Sequence, residues 1–331
     1  MSDIRQRSVA LSDIYKARQI IEPYTRRTPL VHSTSLSEIA GAEIWLKMEN
    51  MQVTGSFKMR GASNKMMQLS DAEKAAGVVT VSTGNHGRAL AALALKMGIR
   101  AVICGPSSVP RNKTEAISGL GAEVRLIGDT QDDAQLEADR LVVEEGLTWV
   151  APFDDPTIIA GQGTIALEIV EELPDVDAIV VPLAGGGLLS GIAVGAKSVN
   201  PRIEVIGTSM EVEPGMVKSL EAGQPVSVDE FPSLADALGG SIGLNNRYTF
   251  SLVRELMDEA VLIAEDELAP TMRHILRHEG IVIEGGSAAA PAAAYTGKLA
   301  RLRGKKIAVV ISSRNIDPQQ FQDVVLESAE S

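Results

Sequence analysis

Cysteine is almost missing from this chain of 331 residues, where Cys104 stands alone. A single thiol excludes an internal disulfide and a thiolate metal cluster, and leaves a core thiol as the expected reading. Aromatic residues are scarce at 3%, and no cluster of lysine and arginine carries interleaved aromatics. Positive charge is also short: the formal net charge is −12, so the field of the molecule repels nucleic acid and a nucleic-acid role is not expected. No stretch reaches the ~18 uninterrupted apolar residues of a membrane span. Met1-Ser2-Asp3-Ile4-Arg5-Gln6-Arg7 contains no apolar leader core, so a cytoplasmic protein is expected. Low-complexity tracts are missing too, and the length suits two domains or lobes around a sizeable core. His274 and His278 stand one helical turn apart, but no third ligand lies near them. Arg273, Arg277 and Glu279 crowd the stretch as on a solvated face, so no metal is expected.

What is present is a set of small-residue runs around one lysine. Lys58 sits in Thr54-Gly55-Ser56-Phe57-Lys58-Met59-Arg60-Gly61-Ala62, an amine among small residues with Phe57 placed to pack beside a ring. Lysine condenses with aldehydes to give a Schiff base, and pyridoxal phosphate is the common aldehyde cofactor held in that way. The alternative is a solvated lysine at a helix start. Further on, Ala178-Ile179-Val180-Val181 is followed by Pro182-Leu183-Ala184-Gly185-Gly186-Gly187-Leu188-Leu189-Ser190-Gly191. That is a strand, a glycine loop and a helix start, where bare backbone amides approach an anion such as a phosphate. A dinucleotide fingerprint ending on Glu211 fits badly, because its third glycine would fall on Ser190. A purely structural turn also remains open.

A third run, Val81-Ser82-Thr83-Gly84-Asn85-His86-Gly87-Arg88, places hydroxyls and free amides at another helix start. Such a place binds a carboxylate, and Asn85 can hydrogen-bond a phenolic oxygen. The same residues would serve equally as a plain N-cap. Between these runs, β-branched segments alternate with alanine- and leucine-rich ones. Strands are predicted at Val78 to Val81, Ala101 to Cys104, Val124 to Ile127, Ala178 to Val181, Val205 to Thr208 and Ile307 to Ile311. Helical patterns lie at Ala89 to Met97 and Ile165 to Glu172. Alternation of this kind indicates α/β architecture with parallel sheets, whose sites lie beyond the C-terminal ends of strands.

In order and spacing the three runs resemble the fold type II pyridoxal phosphate family that includes serine and threonine dehydratases and serine racemase. Lys47-Met48-Glu49-Asn50, Pro152-Phe153-Asp154-Asp155-Pro156, Ala160-Gly161-Gln162-Gly163-Thr164, Glu284-Gly285-Gly286-Ser287 and Ile311-Ser312-Ser313-Arg314-Asn315 complete the match over nearly the whole chain. Ser233-Leu234-Ala235-Asp236-Ala237-Leu238-Gly239-Gly240-Ser241-Ile242-Gly243 and Ser312 to Asp317 look most like the branch of hydroxyectoine utilisation dehydratases.

The resemblance implies two lobes, each with a twisted and mainly parallel sheet: a small one of residues 51–149 inserted into a large one of 1–50 plus 150–331. It also implies a homodimer. It makes Lys58 the Schiff-base lysine and Cα base, and Gly185, Gly186, Gly187 and Leu188 the phosphate cradle. Ser312 is placed against the pyridine nitrogen, Glu284 near the ring, and Ser82, Thr83, Asn85 and His86 around the substrate carboxylate, with Asn85 also touching the cofactor. Ala184 replaces a common glycine and is tolerable only with negative φ. Thr83 stands where racemases of the family carry an acid serine, and Ser209 and Gly215 stand where some carry metal-binding acids. The reaction implied is β-elimination of water from an α-amino-β-hydroxy acid, on a hydroxyectoine-derived substrate or on threonine or serine. Serine or aspartate racemisation is the alternative, and a binding module without chemistry is opposed by Lys58.

Overall fold

The computed structural model describes residues 8–326, and the leader reading at Met1 to Arg7 lies outside them. Ten strands form among the described residues: β1 (Leu30–His32), β2 (Glu43–Lys47), β3 (Val78–Val81), β4 (Ala101–Gly105), β5 (Glu123–Leu126), β6 (Thr148–Trp149), β7 (Ala178–Pro182), β8 (Glu204–Met210), β9 (Glu259–Ile263) and β10 (Lys306–Val310). Six of them make one sheet in the order β1-β2-β10-β7-β8-β9, and four make a second in the order β5-β4-β3-β6. Every pairing is parallel except β1 with β2, which runs antiparallel from Leu30 opposite Lys47. With helices around both sheets, this is the α/β class expected. The central strands β7 and β10 are apolar at nearly every position because helices cover both faces of a parallel sheet.

Each predicted strand forms within two residues of its expected bounds, β8 running on to Met210. Four others escape the pattern. β1 and β6 span only three and two residues, too short to show a period. β2 and β9 carry Glu43, Lys47 and Glu259 within them, and are strands because β10 and β8 offer them a ladder.

Three helices pack unusually closely beside the large sheet. A Cβ on Gly161, in the helix Pro156–Glu172, would lie 2.7 Å from the Cα of Gly61 in the helix Lys58–Met67. One on Gly191, in the helix Gly187–Val199, would lie 2.3 Å from the Ile159 carbonyl oxygen. The bare glycine surfaces let backbones meet where side chains would hold them apart.

Cys104 is buried in β4, and burial pushes its thiol up to about 11, as suits a core residue. Of the two histidines His278 is exposed, as on a solvated face, and His274 departs from that reading. His274 is partly buried, its ring 4.3 Å from that of His278 and 4.8 Å from that of Tyr295, with Ser35 Oγ 3.0 Å from its Nε2. Packing of the helix Glu265–Glu279 against Tyr295 draws it in. No metal-binding cluster occurs among the described residues, and no helix there is long and apolar enough to cross a membrane.

Candidate active site

Lys58 opens its helix beside the end of β10. Ser56 forms an antiparallel bridge with Ser313, Phe57 N–H donates to the Ser312 carbonyl at 3.0 Å, and Arg314 N–H donates to that of Gly55 at 2.9 Å. Gly55 adopts φ +77°, and a Cβ there would fall 2.7 Å from Asn315 Oδ1, so the turn into the lysine requires glycine. Lys58 Nζ donates to the Pro152 carbonyl at 2.6 Å and stands 5.3 Å from the Phe57 ring centroid. The amine is partly accessible, yet protein encloses it, and burial lowers its pKa to about 8 against the opposing pull of Glu284. Phe57 itself packs onto the core of the large sheet.

The glycine loop leaves β7, the neighbour of β10. Gly186 has φ +86°, and a Cβ on Gly185 or Gly187 would lie 2.5 or 3.0 Å from Phe153. Phe153 thus packs on the glycine loop where side chains would otherwise stand, and the first turn of the helix Gly187–Val199 presents N–H groups that have no intrahelical acceptor. Ala184 keeps a negative φ, since Glu213 is the one non-glycine residue with positive φ among those described. Asp154, next to Phe153, accepts from the N–H groups of Arg247, Tyr248 and Thr249 at 2.7 to 2.9 Å, capping the helix Thr249–Leu256.

Beyond β3, Ser82 and Thr83 lie partly exposed before the helix Asn85–Met97. A Cβ on Gly87 would meet the Ser82 carbonyl at 1.9 Å, so this tight turn also depends on glycine. Asn85 Nδ2 donates to Glu284 Oε1 at 2.8 Å, while Asn315 Nδ2 donates to Asn85 Oδ1 at 2.6 Å and to the Thr54 carbonyl at 2.8 Å. This chain of amides joins the run around Lys58, through Thr54, to the run at Asn85 and to the segments of Glu284 and Asn315. Glu284 is buried, and burial pushes its carboxyl up to about 7 despite the bond from Asn85. Ser312 is 5% exposed at the end of β10. Across the opening, Lys113 Nζ meets Asp236 Oδ2 at 2.7 Å.

The sequence profile described as "Pyridoxal-phosphate dependent enzyme" matches residues 21–313. The chain belongs to that family. A putative threonine dehydratase of Sinorhizobium fredii is 48% identical over 96% of both chains. The catabolic L-threonine dehydratase of Escherichia coli is 42% identical over 96% of both. Among solved structures, serine racemase from Dictyostelium discoideum aligns with a TM-score of 0.86 and 36% identity, covering 94% of this chain and 99% of that one. The protein is accordingly a pyridoxal-phosphate-dependent lyase of threonine dehydratase type.

The residues fit the cofactor. An enclosed lysine amine with a lowered pKa suits an aldehyde, and the side-chain-free Gly185 to Gly187 loop at a helix start, where a Cβ has no room, suits a phosphate. The His86 side chain is engaged within the protein. Its ring is buried, with Nε2 3.2 Å from the Val150 carbonyl, and its pKa is lowered to about 3 by burial and by Lys58. A neutral ring bonded in this way brings no charge to the site. Sequence reasoning also missed the linking role of Asn315 and the contacts made by Pro152 and Phe153. All three stood in quoted runs, but only folding reveals their neighbours.

Proposed function

We propose that this enzyme eliminates water from an α-amino-β-hydroxy acid. The surroundings of Lys58 Nζ carry this reading: it donates to the Pro152 carbonyl, next to the Phe153 that packs on the glycine loop, and feels the charge of Glu284, the partner of Asn85. Lys58 Nζ, readily deprotonated at a pKa of about 8, removes the proton from substrate Cα. Ser82, Thr83 and the first amides of the helix Asn85–Met97 bind the α-carboxylate. Gly185, Gly186, Gly187 and Leu188 hold the cofactor phosphate, Asn85 its phenolic oxygen and Ser312 its ring nitrogen, with Phe57 and Glu284 close by. When bound, pyridoxal phosphate supplies the electron sink for charge left at Cα. Ser312, a neutral hydroxyl, does not force protonation of the ring nitrogen, which favours loss of a β-leaving group over deeper delocalisation. The Cα proton and Cβ hydroxide depart as one water. The resulting enamine becomes an imine, which a second water converts to a 2-oxo acid and ammonia.

The substrate we favour is derived from hydroxyectoine, on the strength of the Ser233 to Gly243 and Ser312 to Asp317 runs. Residues 1–50 plus 150–331 and residues 51–149 form the two lobes, a division supported by β3 to β6 sharing one sheet. The enzyme works as a cytoplasmic homodimer without a metal ion, and sedimentation tests the dimer. Racemisation is the second reading, favoured by the likeness to the Dictyostelium serine racemase and opposed by Thr83. A panel of threonine, serine, 3-hydroxyaspartate and ring-opened hydroxyectoine in deuterated solvent separates the two. Dehydration predicts ammonia release. Cα exchange with retention of the hydroxyl would sink it.

A further inference from the structure

Arg88 lies in the first turn of the helix Asn85–Met97, three residues after Asn85 and so on the same face. That face looks onto Glu284, which Asn85 holds at 2.8 Å and whose charge acts on the Arg88 guanidinium. Arg88 is partly buried, and burial holds its pKa below the ordinary value. Among the described residues its guanidinium makes no hydrogen bond, ion pair or ring contact. By contrast, Arg60, Arg100, Arg125 and Arg140 each bind carboxylates. A guanidinium carries five donors in a planar fork, and taking it partly out of water with none of them engaged is unfavourable. Its position beside the site points to an oxygen ligand that arrives with the substrate.

The rest of the site narrows which oxygen. In the reading above, the phosphate belongs to the loop after β7, and the α-carboxylate belongs to Ser82, Thr83 and the helix amides. What remains is the substrate's side chain. A second carboxylate entering there meets little repulsion, because Asp236 is paired with Lys113 at 2.7 Å and Glu284 is bonded to Asn85.

We propose that Arg88 is a specificity residue that receives a carboxylate or acyl carbonyl oxygen carried by the substrate beyond Cβ, so that the preferred hydroxy amino acid has an oxygen-bearing side chain rather than a methyl group. The proposal rests on the dehydratase reading and deepens it. Both 3-hydroxyaspartate, with a carboxylate, and ring-opened hydroxyectoine, with an acetamido carbonyl, offer that chemistry.

The test compares holoenzyme and Arg88→Gln by kcat/KM for these two substrates and for threonine, read as ammonia released. The ratio of the oxygen-bearing substrate to threonine should fall by about tenfold or more in the variant. The substrate whose ratio falls identifies the source of the oxygen. An unchanged ratio overturns the proposal, and so does a loss on threonine as large as on the others, which would assign Arg88 to the α-carboxylate. Arg88→Lys, which keeps the charge and loses the fork, should give a smaller fall in the same ratio and serves if the glutamine variant does not fold. If the unmodified enzyme releases ammonia from none of the three, the dehydratase reading fails and this inference with it. If it does so with ratios indifferent to Arg88, only the inference fails.

Discussion

Glu284 and His86 show how burial sets protonation inside the site. The folded chain keeps the Glu284 proton up to about pH 7, whereas the ordinary value is 4.5. Between those values the folded state binds the extra proton, so this group's stabilisation is complete below the lower value and is lost as pH rises through the upper one. His86 acts in the opposite sense. Its folded pKa of about 3 lies below the usual 6.5, so protonation of the unfolded chain removes stability as pH falls through that interval. Comparing the cofactor-free protein with Glu284→Gln isolates the carboxyl, since both keep His86. The melting temperature of the parent, relative to that of the variant, should drop as pH rises from about 5 to about 7. A difference that stays constant across that range would mean Glu284 is ionised throughout. Lys58, Asn85 and the glycines were legible from residue type and spacing. The protonation of Glu284 was not, because it arises from neighbours on separate strands and helices.

At the scale of elements, periodicity shows strands that are long and apolar and misses those whose identity comes from a partner. β3 and β7 follow from β-branched runs, whereas β6, with two residues, exists through its pairing with β3. The run Ala160 to Thr164 was recognisable as a pattern, and its physical cause is the packing of helices. Gly161 faces Gly61 and the Arg60 carbonyl, which a Cβ would approach to 2.7 and 2.8 Å. Both are backbone neighbours that cannot rotate away. Gly161→Ala therefore pushes the helix Lys58–Met67 outward and costs about 1–3 kcal/mol of stability. Because Lys58 opens that helix, kcat should also fall, by about tenfold or more for a displacement near 1 Å. Urea denaturation and steady-state kinetics check the two effects. A variant with unchanged midpoint and turnover would show that the helices have slack at this contact.

Across the whole molecule, the least legible feature is a buried cluster of four charges that joins distant segments behind the site. Arg60 Nε and Nη2 donate to the two oxygens of Glu49, both at 2.8 Å, while its Nη1 and Nη2 reach Glu168 at 2.6 and 2.8 Å. Lys47 Nζ donates to Glu168 Oε2 and to the Thr28 carbonyl, each at 2.6 Å. Two cations and two carboxylates thus balance with little solvent. Burial works to raise the Glu168 carboxyl, but Arg60 and Lys47 together hold it below the usual range. Lys47 and Arg60 lie 121 and 108 residues from Glu168 in the chain, so no local pattern announces the cluster. It binds the end of β2, the helix bearing Lys58 and the helix Pro156–Glu172 into one body. Breaking such a set is costlier than its net contribution, because the remaining charges stay buried without compensation. Glu168→Gln leaves Arg60 with Glu49 alone and Lys47 with only the Thr28 carbonyl, and should lower the unfolding free energy by about 3–5 kcal/mol, read from the urea midpoint at constant slope. A loss below about 1 kcal/mol would mean that water reaches the cations and that the cluster behaves like a surface pair.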